Sequence, residues 1–300
     1  MKTGDPSMSG GPKVLGRVAF LDGRGDLPML QVTTQWSTAE MYLHGAHVTH
    51  FQRKDEAPLL FLSQCSRFGP GQPIRGGIPI VFPWFGPREG LAQHGFARVV
   101  DWDLKEFAPA ADGSVSVRFR LPQCPEAGGF PPFTAEYVVT VNQALTLQLI
   151  VKNDSPEHEF LFEECLHTYL AVSDVTAVTV SGLAGATYQD KLASFLEKTE
   201  TNDAIRIGSE VDRTYLNTTG RVEVLDPRLG RRIHVEKSGS ASTVLWNPWI
   251  SKSQQMPDFG NDEYERMLCV ESGNIAANSI SLPPGGSSRL QVVLRSEALK

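Results

Sequence analysis

Apolar and polar residues alternate with a period of two along much of the chain, which is the pattern of half-buried β-strands. The clearest stretch is 115–121, where every second residue is apolar. Two pairs of stretches flank short polar turns, 134–141 with 145–151 and 221–225 with 231–235. Each pair predicts a β-hairpin, because a short turn between two strand-forming stretches brings them side by side.

Further strands are predicted where short, β-branched apolar stretches are bounded by turn-forming residues. No segment shows a sustained helical period, and only 262–267 is expected to form one or two helical turns. Many short strands at regular spacing indicate an all-β sandwich or barrel, and we predict one large antiparallel domain over 14–300. The additional predicted strands are 14–20, 29–34, 39–51, 59–62, 96–107, 160–172, 175–180, 243–246, 267–271, 279–282 and 290–295.

Composition and charge narrow the classes of partner. The chain has 300 residues, of which 41% are apolar and 21% charged, values that are ordinary for a globular protein. Lys and Arg number 28 against 34 Asp and Glu, which gives a net charge of -6. This excess of acidic residues argues against nucleic acid or an acidic membrane as a partner. An anionic ligand therefore has to meet a local cluster of basic side chains.

Cysteine usage indicates the compartment. Cys65, Cys124, Cys165 and Cys269 are far apart and form no C-x-x-C pair, so neither a zinc site nor a disulfide scaffold is indicated. We interpret them as reduced thiols in a cytoplasmic protein. No apolar run suits a signal peptide or is long enough to span a membrane. Residues 1–13, rich in Gly, Ser and Pro, are predicted to be a disordered tail.

The stretch 74–98 combines arginines, a glycine pair and several prolines. Gly76 and Gly77 allow the backbone to pass close to another segment or to take a positive φ. The prolines exclude a long helix and a central strand, which predicts a stiff irregular loop. Arg75 and Arg98 suit a phosphate or carboxylate, because a guanidinium can donate two parallel hydrogen bonds. The alternative is a surface loop with solvated arginines.

His167 is a candidate for proton transfer. In the predicted strand 160–172 it shares a face with Glu163, Cys165 and Tyr169, because side chains alternate along a strand. An imidazole with an ordinary pKa of about 6.5 suits proton transfer at neutral pH. The equally open alternative is a core histidine whose hydrogen bonds are satisfied.

Three further side chains carry candidate chemistry. Glu271 ends an apolar strand, where burial raises the pKa of a carboxyl group towards that of a useful base; the alternative is a carboxylate bonded to backbone amides. Trp246 offers a flat aromatic face of the kind that lines sugar sites, or packs in the core. Asp190 is either an acceptor for substrate hydroxyl groups or a turn residue.

Several motifs follow one another in a specific order: YLHGAHVTHF (42–51), RGGIPIVFPWFG, QHGFAR, LHTYLAV, YQDK, WNPW and LCVESGNI. Their order resembles that of the hexose-6-phosphate mutarotases, or glucose-6-phosphate 1-epimerases, a branch of the aldose 1-epimerase family. The resemblance covers nearly the whole chain after the tail, and the RGGIP and QHGFAR blocks separate this branch from ordinary galactose mutarotases. It implies a large antiparallel β-sandwich of the galactose-mutarotase type.

The resemblance also implies roles for individual residues. His167 in LHTYL matches the family's catalytic acid, and Glu271 in CVESG matches its catalytic base. Arg75 and Arg98 are implied to clamp a 6-phosphate group. The remaining implied contacts to the sugar are Gln93, His94 and Asp190.

The implied reaction is interconversion of the α and β anomers of hexose 6-phosphates, glucose 6-phosphate above all. A base removes the proton of the anomeric hydroxyl group while an acid protonates the ring oxygen, so no cofactor, metal or covalent intermediate is expected. The expected partner is a small-molecule sugar phosphate, and the expected form is a monomer. Two alternatives stay open: an aldose 1-epimerase for unphosphorylated sugars, and a sugar-binding module without catalysis.

Overall fold

The structure, a computed structural model, describes residues 16–299. The predicted tail, 1–13, lies outside the described residues, and the assignment of 14–300 to one domain stays a prediction. Between residues 16 and 299 there is one α-helix, α1 (Trp249–Gln255), besides several short 3-10 turns. None of the helices in this part of the chain is both long and apolar enough to cross a membrane.

Twenty-three strands form the rest of the regular structure. In the first half of the chain they are β1 (Arg17–Asp22), β2 (Pro28–Thr33), β3 (Ser37–Tyr42), β4 (Val48–Arg53), β5 (Ile80–Val81), β6 (Asp103–Pro109), β7 (Val115–Arg120), β8 (Phe133–Val141) and β9 (Leu145–Asn153). The central strands are β10 (Phe160–Phe162), β11 (Glu164–Leu166), β12 (Tyr169–Ala171), β13 (Thr179–Ser181), β14 (Thr187–Asp190), β15 (Leu196–Thr199), β16 (Ala204–Arg206) and β17 (Val211–Leu216). The last strands are β18 (Val222–Asp226), β19 (Arg231–Ser238), β20 (Ser242–Asn247), β21 (Met267–Asn274), β22 (Ile280–Leu282) and β23 (Ser287–Ala298).

These strands form two large antiparallel sheets and two small ones, which confirms the predicted fold class. The nine-stranded sheet has the order β16-β13-β18-β19-β23-β9-β8-β7-β6, and the eight-stranded sheet has the order β15-β14-β17-β20-β21-β11-β5, with β12 also paired to β21. A four-stranded meander, β1 to β4, and the pair β10-β22 complete the structure. Antiparallel pairing suits short strands that follow one another closely in the sequence, because a tight turn can join them.

The main core lies between the two large sheets. On the nine-stranded sheet, alternate residues of β9 and β23, such as Leu147 and Val292, point inwards and are fully buried. From the eight-stranded sheet, Leu245 and Val270 join the same cluster. Every residue of β21 is buried, so both faces of this strand are covered. The eight-stranded sheet therefore has a second covered face, which carries the site described below.

The sequence pattern predicted the long hairpins correctly, but it did not predict where other strands are interrupted. The two predicted hairpins are present as β8-β9 and β18-β19. The predicted strand 160–172 was wrong as one element, because it is divided into β10, β11 and β12. Its backbone leaves the strand ladders at Glu163 and His167, whose N–H groups donate to the carbonyl groups of Pro83 and Pro79.

Other predicted elements differ from the structure in extent. The predicted strand 39–51 is two strands, β3 and β4, and 96–107 contains a 3-10 turn at Ala97–Val99 before β6 begins. The predicted strand 59–62 forms only isolated bridges, at Leu60 and Leu62. The strands β14 to β17 and helix α1 were not predicted. Of these, β15 and β16 are short and mostly exposed, so they carry little apolar periodicity.

The loop 74–98 has the irregular path that its prolines and glycines predicted. Its only strand is β5, two residues that pair with β11 at the end of the eight-stranded sheet, and a 3-10 turn begins at Ala97. Gly77 has a φ of 60° and its Cα packs against β4: a Cβ there would lie 2.3 Å from the carbonyl oxygen of Val48. Glycine is therefore required at this position for both its conformation and its size.

Replacing Gly77 by alanine should destabilise the fold strongly. Gly71→Ala is the matched control, because Gly71 also has a positive φ, 73°, but an added Cβ would have nothing within 4 Å. The control should cost about 1–2 kcal/mol from backbone strain alone. Gly77→Ala should cost about 1–3 kcal/mol more from the clash. Urea unfolding midpoints measure both. Equal losses in the two variants would contradict the close approach at Gly77.

Candidate active site

A cavity of about 460 Å³ lies on the second face of the eight-stranded sheet. The register of four neighbouring strands places one side chain from each in a row across its floor. Gln189 of β14 pairs with Thr214 of β17, Thr214 with Val244 of β20, and Val244 with Glu271 of β21. All of these side chains line the cavity. Glu271 thus reaches the cavity because its strand neighbours Leu268 and Val270 alternate with it and enter the core.

A second row carries the aromatic part of the site. Asp212 of β17 is opposite Trp246 of β20, and Trp246 is opposite Cys269 of β21, which is paired with Tyr169 of β12. The imidazole of His167 stacks on Tyr169, with 4.7 Å between ring centroids and 9° between planes. Trp246 meets the edges of this stack. The ring of His167 is therefore fixed by packing.

His167 and Glu271 are brought together at the floor of the cavity. The Nδ1 atom of His167 lies 3.3 Å from Oε1 of Glu271, and both side chains are at least nine-tenths buried. The two atoms are not aligned for a hydrogen bond, and Nδ1 has no other partner among residues 16–299. The other carboxylate oxygen, Oε2, accepts a weak hydrogen bond from the thiol of Cys165 at 3.6 Å. The pair is thus poised for an additional hydrogen-bonding group.

Burial dominates the electrostatics of Glu271. Desolvation raises the pKa of its carboxyl group, as does the charge of Asp212, and the resulting pKa is about 8. The positive charges of Lys191 and Arg98 and the thiol of Cys165 oppose this rise. Below about pH 8, the protein without substrate therefore holds a proton on Glu271.

The histidines of the site are kept neutral. Burial lowers the pKa of His167 well below its usual value, and the neighbouring His94, Arg98, Arg75 and Lys191 lower it further. Taken with Glu271, this means that the pair holds one proton near neutral pH. One group is then a proton donor and the other a proton acceptor, which is the requirement for concerted acid–base catalysis.

Arg75 lines the cavity and is held by two partners. Its Nε and Nη2 lie 3.2 and 3.1 Å from Oδ2 of Asp258, and Nη1 donates to the hydroxyl oxygen of Tyr169 at 3.1 Å. Burial lowers the pKa of the guanidinium, but Tyr169 and Asp258 outweigh that effect and hold the pKa above its usual value. The backbone of the glycine pair is fixed by His47, whose Nε2 donates to the carbonyl oxygen of Gly76 at 2.7 Å.

Gln93 and His94 of the QHGFAR motif line the cavity, whereas Arg98 does not. The Arg98 side chain is 7% exposed, and its Nη2 donates to the carbonyl oxygen of Gln93 at 2.7 Å. Burial lowers the pKa of this guanidinium to about 10, with a further lowering from Arg75. Arg98 therefore lies behind the lining residues as a buried positive charge, and its predicted contact with a phosphate group stays a prediction.

Asp190 also lies outside the lining of the cavity, and its predicted contact with substrate stays a prediction. Its strand neighbour Gln189 faces the cavity, and alternation turns Asp190 to the other face of β14. Its carboxylate accepts hydrogen bonds from Lys198 Nζ at 2.7 Å and from the N–H group of Leu192 at 3.2 Å. These contacts agree with the alternative interpretation of Asp190 as a turn residue.

Several lining residues were not singled out from the sequence. The Nζ atom of Lys191 lies 3.1 Å from Oδ1 of Asp212, and Nζ of Lys252 in α1 lies 3.4 Å from Oε1 of Glu210. Lys191 follows the missed strand β14 and Lys252 lies on the missed helix α1, so no pattern placed them near His167. The available signal was the stretch 211–216. A strand predicted there would have placed Asp212 in a sheet. The other lining residues are Phe85, Gly86, Pro87, Glu163, Phe195, Met256, Ile275 and Ala276.

His167, Cys269 and Glu271 are also the set of side chains closest to a metal-binding arrangement among the described residues, with ligand atoms within 4.8 Å of one another. Burial and the charge of Glu271 raise the pKa of the Cys269 thiol well above its usual value. A thiol binds metal as the thiolate, so this environment disfavours a metal on these three residues. The arrangement favours proton transfer instead.

The pKa of Glu271 should be observable by carbon NMR of labelled carboxyl groups, with Glu271→Gln to assign the signal. We expect titration near pH 8, a higher pKa in Lys191→Met, which loses a positive charge that favours the carboxylate, and a lower pKa in Asp212→Asn. The exposed Lys105→Met variant is the control and should leave the signal unchanged. A wild-type pKa near the ordinary 4.5 would contradict the burial argument.

Comparison with known proteins identifies a family that this chain matches. Residues 28–295 match the family model described as aldose 1-epimerase. The chain is 35% identical over 265 residues to a protein of Cenchrus ciliaris, and 34% identical over 249 residues to one of Escherichia coli strain K12; both are provisionally named glucose-6-phosphate 1-epimerase. These matches cover 85% and 82% of this chain, and 80% and 83% of the relatives.

A solved structure agrees with these relatives. The crystal structure of YeaD from Salmonella typhimurium, provisionally a mutarotase, superposes with a TM-score of 0.86 at 30% identity, over 94% of each chain. Its similarity extends through both large sheets, because so little of either chain is left out. The chain belongs to the aldose 1-epimerase family.

Proposed function

We propose that this protein interconverts the α and β anomers of hexose 6-phosphates, with glucose 6-phosphate as the main substrate. The observation that carries the proposal is the juxtaposition of His167 and Glu271, 3.3 Å apart, at the floor of a cavity that also contains cationic side chains. The names of the relatives support the same reaction class and substrate. The proposed working form is a monomer.

In the proposed mechanism Glu271 is the base and His167 is the acid. Glu271 takes the proton of the O1 hydroxyl group while His167 gives a proton to the ring oxygen O5. The C1–O5 bond breaks, a C1 aldehyde forms, and rotation about C1–C2 presents its other face. Ring closure reverses both proton transfers, so the pair returns to its starting state. Only protons move between protein and substrate, and acid–base help of this kind is typically worth a factor of about 10²–10⁴.

The base role requires an ionised Glu271, although the empty site holds the shared proton on this residue. Substrate binding can reverse the preference. Arg75 is one of the positive charges that lower the pKa of His167, and a bound phosphate group beside Arg75 offsets that charge. The proton then moves to His167 without any change in the total charge of the pair.

The phosphate group is assigned to the cationic side chains of the cavity wall. Arg75, Lys191 and Lys252 all line the cavity, and each is paired with a carboxylate in the empty site. A phosphate dianion competes with these carboxylates for the same donors. Arg75 is the principal candidate, because a held guanidinium offers a bidentate fork at little further cost in entropy.

The sugar hydroxyl groups are assigned to polar side chains between this wall and the catalytic pair. Asp212, Gln93 and His94 line the cavity and can accept or donate hydrogen bonds. Trp246 is 8% exposed and provides an apolar floor. Asp212 takes the acceptor role that the sequence had suggested for Asp190.

Exchange between the anomers of glucose 6-phosphate, followed by NMR, tests the reaction. His167→Ala should lower kcat by about 10²–10⁴-fold, because the ring oxygen loses its acid. Arg75→Ala should raise KM for glucose 6-phosphate by about 10–150-fold, since a charged hydrogen bond is worth about 1.5–3 kcal/mol. The same variant should not slow exchange of free glucose, which has no phosphate group for Arg75 to bind.

Arg228→Ala is the matched control, since it removes an exposed arginine that is paired with Asp174 on the surface. It should behave as wild type on both sugars. Faster exchange of free glucose than of the phosphate in the wild type would instead favour an epimerase for unphosphorylated aldoses. Binding without any acceleration of exchange would favour a sugar-binding module.

The pH dependence of kcat/KM tests the shared proton. The free enzyme loses this proton as the pH rises through the pKa of Glu271, about 8, so the rate should fall above that pH. The substrate phosphate is already fully ionised there and adds no change of its own. A profile that stays level to about pH 9.5 would exclude a shared proton with this pKa.

A further inference from the structure

The turn between β14 and β15 presents large apolar side chains to solvent at the mouth of the cavity. Leu192, Phe195 and Leu196 are 52%, 59% and 58% exposed. Of these three residues, Phe195 alone lines the cavity. Exposing a phenylalanine to this extent forgoes the favourable free energy of burying it, unless a ligand covers the ring.

The backbone of this turn is strained where it presents the ring. Ser194 and Phe195 have φ values of 54° and 62°, so two successive residues with side chains are in the left-handed region. This conformation costs about 1–2 kcal/mol for each such residue. Strain of this kind persists where the surrounding structure enforces it, and it is common where a side chain has to be aimed at a ligand.

Asp190 is the residue that enforces this conformation. It is opposite Leu196 in the last pair of the β14-β15 ladder, so it closes the turn. Its carboxylate accepts hydrogen bonds from the N–H group of Leu192 and from Lys198 Nζ. Its own carbonyl oxygen accepts the N–H group of Phe195 at 2.9 Å. Both ends of the turn are therefore tied to a single residue.

We propose that Phe195 is a substrate-contact residue whose ring covers the sugar at the mouth of the cavity, and that Asp190 is the positioning residue that holds it there. This assignment rests on the proposed function. A pyranose ring presents several C–H groups on each face, and an aromatic ring packs against such a surface. The phosphate group is bound elsewhere, by the cationic wall, so Phe195 contributes to recognition of the sugar alone.

Phe195→Ala tests the contact, with Leu196→Ala as a control of the same exposure outside the cavity. We expect Phe195→Ala to raise the Kd for glucose 6-phosphate, measured by calorimetry, by about tenfold, in keeping with the value of an aromatic contact. KM should rise by a similar factor, kcat should change by less than about threefold, and Phe195→Tyr should restore binding. Equal affinities in Phe195→Ala and Leu196→Ala would overturn the assignment.

Inorganic phosphate provides a second probe, which separates loss of the sugar contact from a general disturbance of the site. Its Kd should be unchanged in Phe195→Ala, because the ring does not contact the phosphate group. Equal weakening of inorganic phosphate and glucose 6-phosphate would overturn the proposal. A wild-type protein that binds glucose 6-phosphate without accelerating exchange would refute the proposed reaction, while the comparison of Phe195 with Leu196 would still decide the contact.

A double-mutant cycle tests Asp190. Asp190→Ala should weaken binding of glucose 6-phosphate as Phe195→Ala does, and the double variant should be no weaker than Phe195→Ala, because Asp190 acts through the ring. Asp190→Asn should retain most of the affinity, since its amide oxygen can still accept the Leu192 N–H group. Additive losses in the double variant would show that Asp190 does not act through Phe195 and would overturn its role.

Discussion

The position of the site depends on the packing of β21, a strand that is covered on both of its faces. Leu268 and Val270 enter the main core, so Cys269 and Glu271 are turned to the opposite face. A slip of the register by one residue would place a carboxylate in the apolar core and remove it from the cavity. The apolar packing of the sandwich thus fixes the position of the polar residue that the chemistry requires. Stability and function are joined in one strand.

The same burial also sets the proton affinity of the site. A carboxyl group that is removed from water is harder to ionise, and a buried imidazole is harder to protonate. The pair therefore shares one proton near neutral pH, as mutarotation requires. Basic side chains around the pair, Lys191 and Arg98 among them, keep the pKa of Glu271 from rising further. The pair can therefore exchange its proton with a substrate at little cost.

The cavity resolves the apparent conflict between an acidic protein and an anionic substrate. The chain has a net charge of -6, yet Arg75, Lys191 and Lys252 all line the cavity. Each of these cations is paired with a carboxylate, which avoids a concentration of unbalanced positive charge in the empty protein. In the proposed function, competition with these carboxylates favours a ligand with two negative charges in one group over a neutral sugar.

The sequence by itself determined the fold class and the two long hairpins, because strand periodicity and turn chemistry are local, and it supplied the residue types of the proposed catalytic pair. It did not determine which side chains meet. Asp190 and Asp212 lie on different strands of one sheet, and only the pairing of β14 with β17 decides that Asp212 faces the cavity. Alternation fixes relative directions within one strand, whereas the direction of the core depends on packing between distant segments. The burial of Arg98 behind the cavity wall was not predictable for the same reason, since it depends on tertiary contacts.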